Sequence, residues 1–109
     1  MSQNKEAMNK MAQRVLNGYE AVHNKDYAKA KQLLEPLVPM LHSETKPNIK
    51  LLSYTAIAQI GTKDIETFLE TCEELKKFEP ADTQEAALVQ RVDEMFVVLM
   101  DTLNEDDQQ

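Results

Sequence analysis

Apolar residues recur along this chain at intervals of three and four positions, in five stretches separated by polar or proline-containing segments. Such spacing places the apolar residues of each stretch on one side of an α-helix, and the pattern therefore predicts an all-α domain with five helices and no strands. The first helix, at about 4–23, has a stripe of seven apolar residues: Met8, Met11, Ala12, Val15, Leu16, Tyr19 and Val22.

The second helix follows a short polar junction and completes a first helix pair, at about 4–41. Asn24 and Asp26 have side chains suited to a turn and to an N-cap. Pro36 removes a backbone donor and crowds the carbonyl four residues earlier, so we expect a kink, or a break near Glu35 with a short irregular continuation to Leu41. The stripe of this helix contains Tyr27, Ala30, Leu33, Leu34, Leu37, Val38 and Leu41.

The third and fourth helices form a second predicted pair, at about 47–79. Pro47 suits the first turn of a helix because its missing N–H would have no intrahelical partner there. Gly61 stands where a left-handed C-terminal cap is expected. The third helix has the stripe Ile49, Leu52, Ala56, Ile57 and Ile60, and the fourth has Ile65, Phe68, Leu69, Cys72 and Leu75 before Glu79 and Pro80 end it.

The fifth helix is predicted at about 83–103. Asp82 and Glu85 have the spacing of a capping box, in which the Asp oxygen accepts from a backbone N–H and the Glu side chain reaches back. A single domain over 1–103 results, and the acidic tail at 104–109 is expected to be disordered.

Residues 95–100 of the fifth helix are apolar on all sides, which indicates that the helix is covered on more than one side. Two arrangements account for this. Either earlier helices sandwich the run, or one of its faces meets another molecule. In the second case the residues available for self-association are Val97, Val98 and Met100.

The junction inside each helix pair has the same sequence pattern. Residues 24–27 read Asn-Lys-Asp-Tyr and residues 62–65 read Thr-Lys-Asp-Ile, so that Asp26 and Asp64 lie 38 residues apart. One helix-turn-helix unit is therefore used twice, and the fifth helix is left to close the stack. Units of this kind build binding surfaces more often than catalytic sites.

Two stretches of the chain share a wider pattern of small, large and turn residues. The first contains Gly18, the turn residues Asp26 and Tyr27, and Ala30, Leu34 and Leu37; the second contains Leu52, Ala56, Asp64, Phe68, Cys72 and Leu75 and ends with the acidic-Pro pair Glu79 and Pro80. Over roughly residues 12–80 this pattern resembles the tetratricopeptide repeat, although Phe68 stands where that family has a small alanine. The resemblance implies a right-handed stack of antiparallel helix pairs, two pairs plus a capping helix. The alternative is an unrelated five-helix bundle.

In the tetratricopeptide family the first helix of each pair lines a concave groove, and the resemblance implies which residues face it here. They are Ala12, Val15, Tyr19, Val22 and His23 from the first pair, with Lys50, Ser53, Ile57 and Ile60 from the second. The set is mostly apolar, which implies a helix or an extended segment with apolar anchors as the ligand and Tyr19 as its main contact. The alternative is that these residues are core and pack against the fifth helix.

Charge separates the two halves of the chain. Residues 1–50 carry eight Lys or Arg against five Asp or Glu, a net of +3, whereas residues 51–109 carry four against fourteen, a net of −10. The acidic half would repel a phosphate backbone, so we expect no nucleic-acid binding. A basic partner, or the basic half of another copy, is easier to accommodate.

The sequence also bears on location. No stretch approaches the roughly 18–20 apolar residues of a membrane-spanning helix, and the polar start lacks the apolar core of a signal peptide. The single Cys72 cannot form an internal disulfide, which fits a reducing compartment. We therefore expect a cytoplasmic protein that does not contact membranes.

Candidate catalytic chemistry is sparse. His23 and His42 are nineteen residues apart on different elements, Cys72 lies on an inner helix face, and a chain with two glycines offers no Gly-rich loop. We expect no enzymatic activity, no cofactor and no metal. The expected function is that of a small protein–protein interaction module, an adaptor, regulatory subunit or chaperone-like protein that binds a polypeptide segment. The alternative is a structural helical homodimer with the fifth helix as its interface.

Overall fold

The protein is all-α, which confirms the fold class predicted from the apolar spacing. The computed structural model describes residues 2–107, and the side chains of residues 5–105; this part of the chain contains no strand. Six α-helices and one 3₁₀ turn follow one another: α1 (Ser2–His23), α2 (Tyr27–Leu34), the 3₁₀ turn (Glu35–Leu37), α3 (Val38–Leu41), α4 (Ile49–Gly61), α5 (Ile65–Leu75) and α6 (Thr83–Asp107).

Helix α4 lies at the centre of the core. Helix α1 packs against α2 and α4 packs against α5, while α4 also contacts α1, α2 and α6. Every residue from Leu51 to Gln59 is buried, so α4 is covered on all sides and not along a single stripe. The sequence analysis predicted that the fifth helix would be covered on more than one side. In the structure the enclosed helix is α4, which is the third of the five predicted helices.

The turns inside the two helix pairs have the same backbone geometry. Lys25 and Lys63 are both left-handed, with φ of 62° and 65°. In each turn this Lys N–H donates to the carbonyl three residues earlier, and the following Asp N–H donates to the carbonyl five residues earlier. Both turns are therefore Schellman helix ends, 38 residues apart. The prediction that Gly61 is the left-handed cap is wrong, because Gly61 has no positive φ and Lys63 takes that role.

Replacing Lys63 with glycine should raise the free energy of unfolding by about 0.5–1 kcal/mol, because a left-handed conformation strains any residue that carries a Cβ. Urea titration measures the change. Lys29→Gly, inside the helical part of α2, is the matched control and should lower stability by about 1 kcal/mol. Equal loss in both variants would contradict the left-handed geometry at Lys63.

The Asp that follows each left-handed Lys has a different role in the two turns. The Asp26 carboxylate caps α2 by accepting the Lys29 N–H at 3.3 Å. Asp64 makes no side-chain cap bond; its carboxylate instead pairs with Lys31 Nζ at 2.6 Å. The hydrogen bond from Lys31 holds the pKa of Asp64 below its usual range. This pair therefore joins α2 to the start of α5, across the two helix pairs.

Pro36 breaks the second helix, as the sequence predicts. Helix α2 ends at Leu34, and the chain passes through the 3₁₀ turn before α3 continues to Leu41. Since Pro36 has no N–H, the carbonyl of Gln32 loses the donor that an uninterrupted helix would supply. Arg14 of α1 replaces it, donating from Nη2 to the Gln32 carbonyl at 3.1 Å and from Nε to the Leu33 carbonyl at 3.0 Å.

The start of α4 differs slightly from the prediction. It begins at Ile49 and not at Pro47, because the Asn48 side chain caps it by accepting the Leu51 N–H at 3.1 Å.

Helix α6 has the predicted capping box but a different end. Asp82 accepts the Glu85 N–H at 2.8 Å, and the Glu85 carboxylate accepts the Ala81 N–H, also at 2.8 Å. The helix continues to Asp107 instead of ending at 103, since residues 83–107 contain neither glycine nor proline to stop it. The predicted disordered tail at 104–109 is thus helical as far as 107, and residues 108–109 lie outside the described residues.

Candidate functional site

Three of the predicted groove residues are core residues. Val22, Ser53 and Ile57 are 1%, 0% and 1% exposed. They are not available to a partner in this structure, because α4 is enclosed by α1, α2, α5 and α6. Among the described residues the Ser53 hydroxyl has no hydrogen-bond partner, so its burial costs stability and adds no recognition.

Three other predicted groove residues meet around an aromatic residue that the sequence analysis did not single out. The Tyr19 and Tyr54 rings stack with centroids 4.1 Å apart, and the His23 Nε2 lies 3.0 Å from the Tyr54 hydroxyl. Lys50 Nζ lies 5.5 Å from the centre of the Tyr19 ring. Burial raises the pKa of Tyr19 to about 12. The available signal was spacing, since Tyr54 follows Lys50 by one helical turn.

This aromatic cluster joins α1 to α4 more than it offers a binding face. Tyr19 contributes mainly to the α1–α4 contact, because its ring stacks on the ring of Tyr54.

Two more of the predicted groove residues lie on the part of α1 that precedes this cluster. Ala12 is exposed and Val15 is half-buried. Met8 and Leu16 share their side of the helix at three- and four-residue steps, and these two side chains are 69% and 59% exposed. An apolar stripe on α1 is therefore open to solvent.

An apolar depression lies between α4 and α6. Its volume is about 540 Å³, and most of its lining is apolar. The only α4 residue that lines it is Ile60, which the resemblance placed in the groove. The α6 residues that line it are Arg91, Glu94, Met95, Val98, Leu99 and Thr102. We call this feature the α4–α6 depression.

The three residues predicted for self-association differ in their surroundings. Val97 and Val98 are 54% and 64% exposed, whereas Met100 is half-buried. Val98 lines the α4–α6 depression, but Val97 does not; both valines also line a second apolar patch with Asp93 and Glu94. The run is therefore not sandwiched between earlier helices, since α6 packs on the core through one side and leaves Val97 and Val98 uncovered. The arrangement in which one face meets another molecule stays a prediction.

A hydrogen-bonded link fixes the loop between the helix pairs. The His42 Nδ1 accepts the Asn48 N–H at 2.9 Å, so the proton of the neutral ring is on Nε2, which donates to Glu74 at 2.8 Å. Lys77 Nζ reaches the other oxygen of Glu74 at 3.0 Å. The hydrogen bond from His42, followed by that from Lys77, holds the pKa of Glu74 below its usual range.

Replacing Glu74 with glutamine should lower the free energy of unfolding at pH 7 by about 0.5–1 kcal/mol. A carboxyl whose pKa is lowered by folding stabilises the protein above its unfolded pKa, and that contribution is lost as the pH falls through the folded pKa. The difference between wild type and variant should therefore shrink below about pH 4. Urea titrations at several pH values measure it, with Glu73→Gln on the same helix as the control. A difference independent of pH would contradict this assignment.

The cysteine and the acidic side chains show what the described residues offer for thiol and metal chemistry. Burial raises the pKa of the Cys72 thiol to about 11, so that it remains a protonated core residue at neutral pH. Among the side chains of residues 5–105, no three His, Cys, Asp or Glu groups lie close enough to hold a metal ion. Over the same part of the chain, no helix is both long and apolar enough to cross a bilayer.

The sequence analysis also did not predict a buried hydrogen-bonded link centred on Gln59. Gln59 of α4 is 5% exposed. Its amide donates to Glu35 at 2.9 Å and accepts from the Thr71 hydroxyl at 2.6 Å. Gln59 therefore ties the 3₁₀ turn to α5 through the central helix, a structural role.

Comparison of the whole chain with protein-family models, with curated proteins and with solved structures gave no match.

Proposed function

We propose that this protein is a small tetratricopeptide-like interaction module that binds a segment of another protein in the α4–α6 depression. The single observation that carries the proposal is that depression. It is open to solvent, has a volume of about 540 Å³ and a mostly apolar lining, and its lining includes one charge of each sign, Arg91 and Glu94. Small concave apolar surfaces with a few polar groups are typical binding sites.

Two further features support the tetratricopeptide-like part of the proposal. The turns at Lys25 and Lys63 share one hydrogen-bond pattern at the interval of the sequence repeat. Each hairpin, α1–α2 and α4–α5, is also followed by a helix that packs on it, since α4 contacts α1 and α2, and α6 contacts α4 and α5. In such a stack α1, α4 and α6 would be the first helices of successive pairs, and the depression would lie in the concave groove.

The proposed ligand is an amphipathic helix of about three turns. The lining of the depression on α6 runs from Arg91 to Thr102, which spans about 16 Å along a helix axis. A ligand helix of that length would place apolar residues on two or three successive turns against Met95, Val98 and Leu99. The binding energy would come mainly from this apolar contact, with Arg91 and Glu94 setting the orientation.

Two neighbouring valines allow a sharp test. Val98 lines the depression and Val97 does not, although both are exposed on α6. Wild type, Val98→Glu and Val97→Glu are immobilised and exposed to lysate of the source cells. A synthetic peptide from any protein captured by the wild type is then titrated against all three.

We expect wild type and Val97→Glu to bind this peptide alike and Val98→Glu to bind it at least about tenfold more weakly, because the charge would be buried under the ligand. Circular dichroism checks that both variants stay folded. Equal binding to Val98→Glu, or no ligand retained by the folded wild type, would refute the proposal.

A further inference from the structure

One face of the first helix pair is not covered by another helix among the described residues. In the second pair, α4 contacts α1 and α2 and also contacts α6, so that helices lie on both of its sides. In the first pair, α4 lies on the side of α1 that carries Tyr19, whose ring stacks on Tyr54. The opposite side of α1 carries Lys10, Arg14 and Asn17, at four- and three-residue steps. An open crevice lies along that side, between α1 and α2.

This crevice is large enough for several side chains of a ligand. Its volume is about 590 Å³, and it extends along α1 from residue 7 to residue 17, about 15 Å of helix axis. Met11 of α1, Leu33 of α2 and Leu37 of the 3₁₀ turn supply apolar surface to it; Leu37 is buried and the other two are half-buried. We call this feature the α1–α2 crevice.

The charged side chains that line the α1–α2 crevice are both basic. They are Lys10 and Arg14, and no Asp or Glu is among the described side chains of its lining. Neither cation forms a salt bridge with another described side chain. Glu6, one turn before Lys10, is exposed and does not line the crevice. Two cations beside apolar surface favour a ligand that carries carboxylates next to apolar side chains and disfavour a basic one.

Arg14 is already positioned for such a ligand. Its Nε and Nη2 donate to the Leu33 and Gln32 carbonyls where the second helix breaks. A guanidinium has five N–H groups, so both N–H groups of Nη1 and one of Nη2 are left. Together these form a fork that matches the two oxygens of a carboxylate. Because the side chain is held by the protein itself, a ligand carboxylate does not have to order it.

We infer that the α1–α2 crevice binds an acidic amphipathic helix of another protein. A helix fits because α4 occupies the corresponding place on the other face of the same pair, where it contacts both α1 and α2. About three turns of ligand helix match the length of the crevice. Apolar residues on one side of the ligand cover Met11, Leu33 and Leu37, and carboxylates beside them pair with Lys10 and Arg14.

The surface next to the crevice sets the direction of the ligand charge. Beyond Asn17 the same side of the helix pair becomes a polar hollow that Glu20, Asp26 and Lys29 line. The carboxylates of the ligand therefore lie toward the Lys10 end, away from these two acidic residues. The α1–α2 crevice shares no lining residue with the α4–α6 depression, so the inference does not depend on the proposed function.

A displayed library of amphipathic 14-residue helical peptides tests the inference. The apolar side of each peptide is built from Leu and Ala, and its polar positions vary among Glu, Gln and Lys. Peptides are selected on the wild-type protein, and their dissociation constants are measured by fluorescence anisotropy at low salt for the wild type, Lys10→Glu and Lys5→Glu. Lys5→Glu is the matched control, because Lys5 is an exposed lysine of the same helix that does not line the crevice.

We expect a class of selected peptides that is rich in Glu and that Lys10→Glu binds at least about tenfold more weakly than the wild type. Lys5→Glu should bind these peptides as the wild type does, and so should Val98→Glu, which alters only the α4–α6 depression and the patch beside it. Replacing the Glu residues of such a peptide with Lys should reverse the order, so that Lys10→Glu binds it more tightly than the wild type.

Three results would overturn the inference. The first is that no selected peptide is weakened by Lys10→Glu, and the second is that the weakened peptides are not acidic. The third is a wild type that self-associates below about 100 μM while Lys10→Glu stays monomeric in sedimentation, since a second copy would then occupy the crevice. Circular dichroism checks the fold of each variant, and Lys10→Gln replaces Lys10→Glu if the latter does not fold.

Discussion

Replacing Phe68 with alanine should lower the free energy of unfolding by about 3–5 kcal/mol, a large share of the roughly 5–15 kcal/mol expected for a domain of this size. Phe68 lies on α5 and is fully buried in the core that α4 organises. Truncation would remove the transfer free energy of the ring and leave a cavity, since the helices around it cannot close on the gap. Urea titration with a circular dichroism signal measures the loss.

The structure and the tetratricopeptide pattern predict different outcomes for this substitution. Position 68 corresponds to Ala30 in the first pair, and the tetratricopeptide pattern has a small alanine there, so the pattern alone predicts that Phe68→Ala is tolerated. The structure predicts the opposite. Ile65→Ala on the same helix is the control: Ile65 is 38% exposed, and its truncation should cost about 1 kcal/mol or less. Similar losses at both positions would contradict the packing described for Phe68.

Replacing Gly61 with alanine should lower stability by about 2–3 kcal/mol, although alanine is the better helix former by about 1 kcal/mol. A Cβ at Gly61 would overlap the Cβ and ring atoms of Tyr27. These atoms lie at the base of the Tyr27 side chain, so rotation of the ring cannot move them away. Tyr27 itself is the first residue of α2, which Asp26 caps. Relief would therefore require α2 to shift relative to α4.

A double-mutant cycle checks the cause of that loss. Tyr27→Ala removes the atoms that the new Cβ would meet, so Gly61→Ala should cost less in the Tyr27→Ala background than in the wild type, and the two losses should not add. Thermal unfolding of the four proteins gives the coupling. Additive losses would show that the contact with Tyr27 is not the reason for glycine at position 61.

The sequence predicted the helices well because local rules decide them. Apolar spacing located all five stretches, Pro36 indicated the break in the second helix, and Asp82 with Glu85 indicated the start of the last one. Errors occurred where a distant partner decides the outcome. Gly61 was assigned to a left-handed cap because glycine is common there, whereas its reason is the approach of Tyr27 from another helix pair.

The candidate surfaces were harder to predict than the helices. An apolar residue on a first helix can face a groove or the core, and spacing within that helix does not distinguish the two. Val22 and Ile57 are core because α1 packs on α4 and several helices enclose α4, while Val98 is exposed because no further helix among the described residues covers the α4–α6 depression. Gln59 had no local signal that set it apart from other residues of α4, and the signal for Tyr54 was only its position one helical turn after Lys50.

The amino-acid sequence by itself determined that this chain is helical, where its helices begin and break, that one hairpin is used twice, and that its halves carry opposite charge. These properties depend on spacing, caps and composition within a few turns of chain. Only the tertiary structure decided that α4 is the enclosed helix, that an open apolar depression lies between α4 and α6, and that residues 5–10 of α1 and 101–105 of α6 are exposed. The physical reason is that exposure depends on which helices pack together and on their relative lengths, and the residues that decide this lie far apart in the chain.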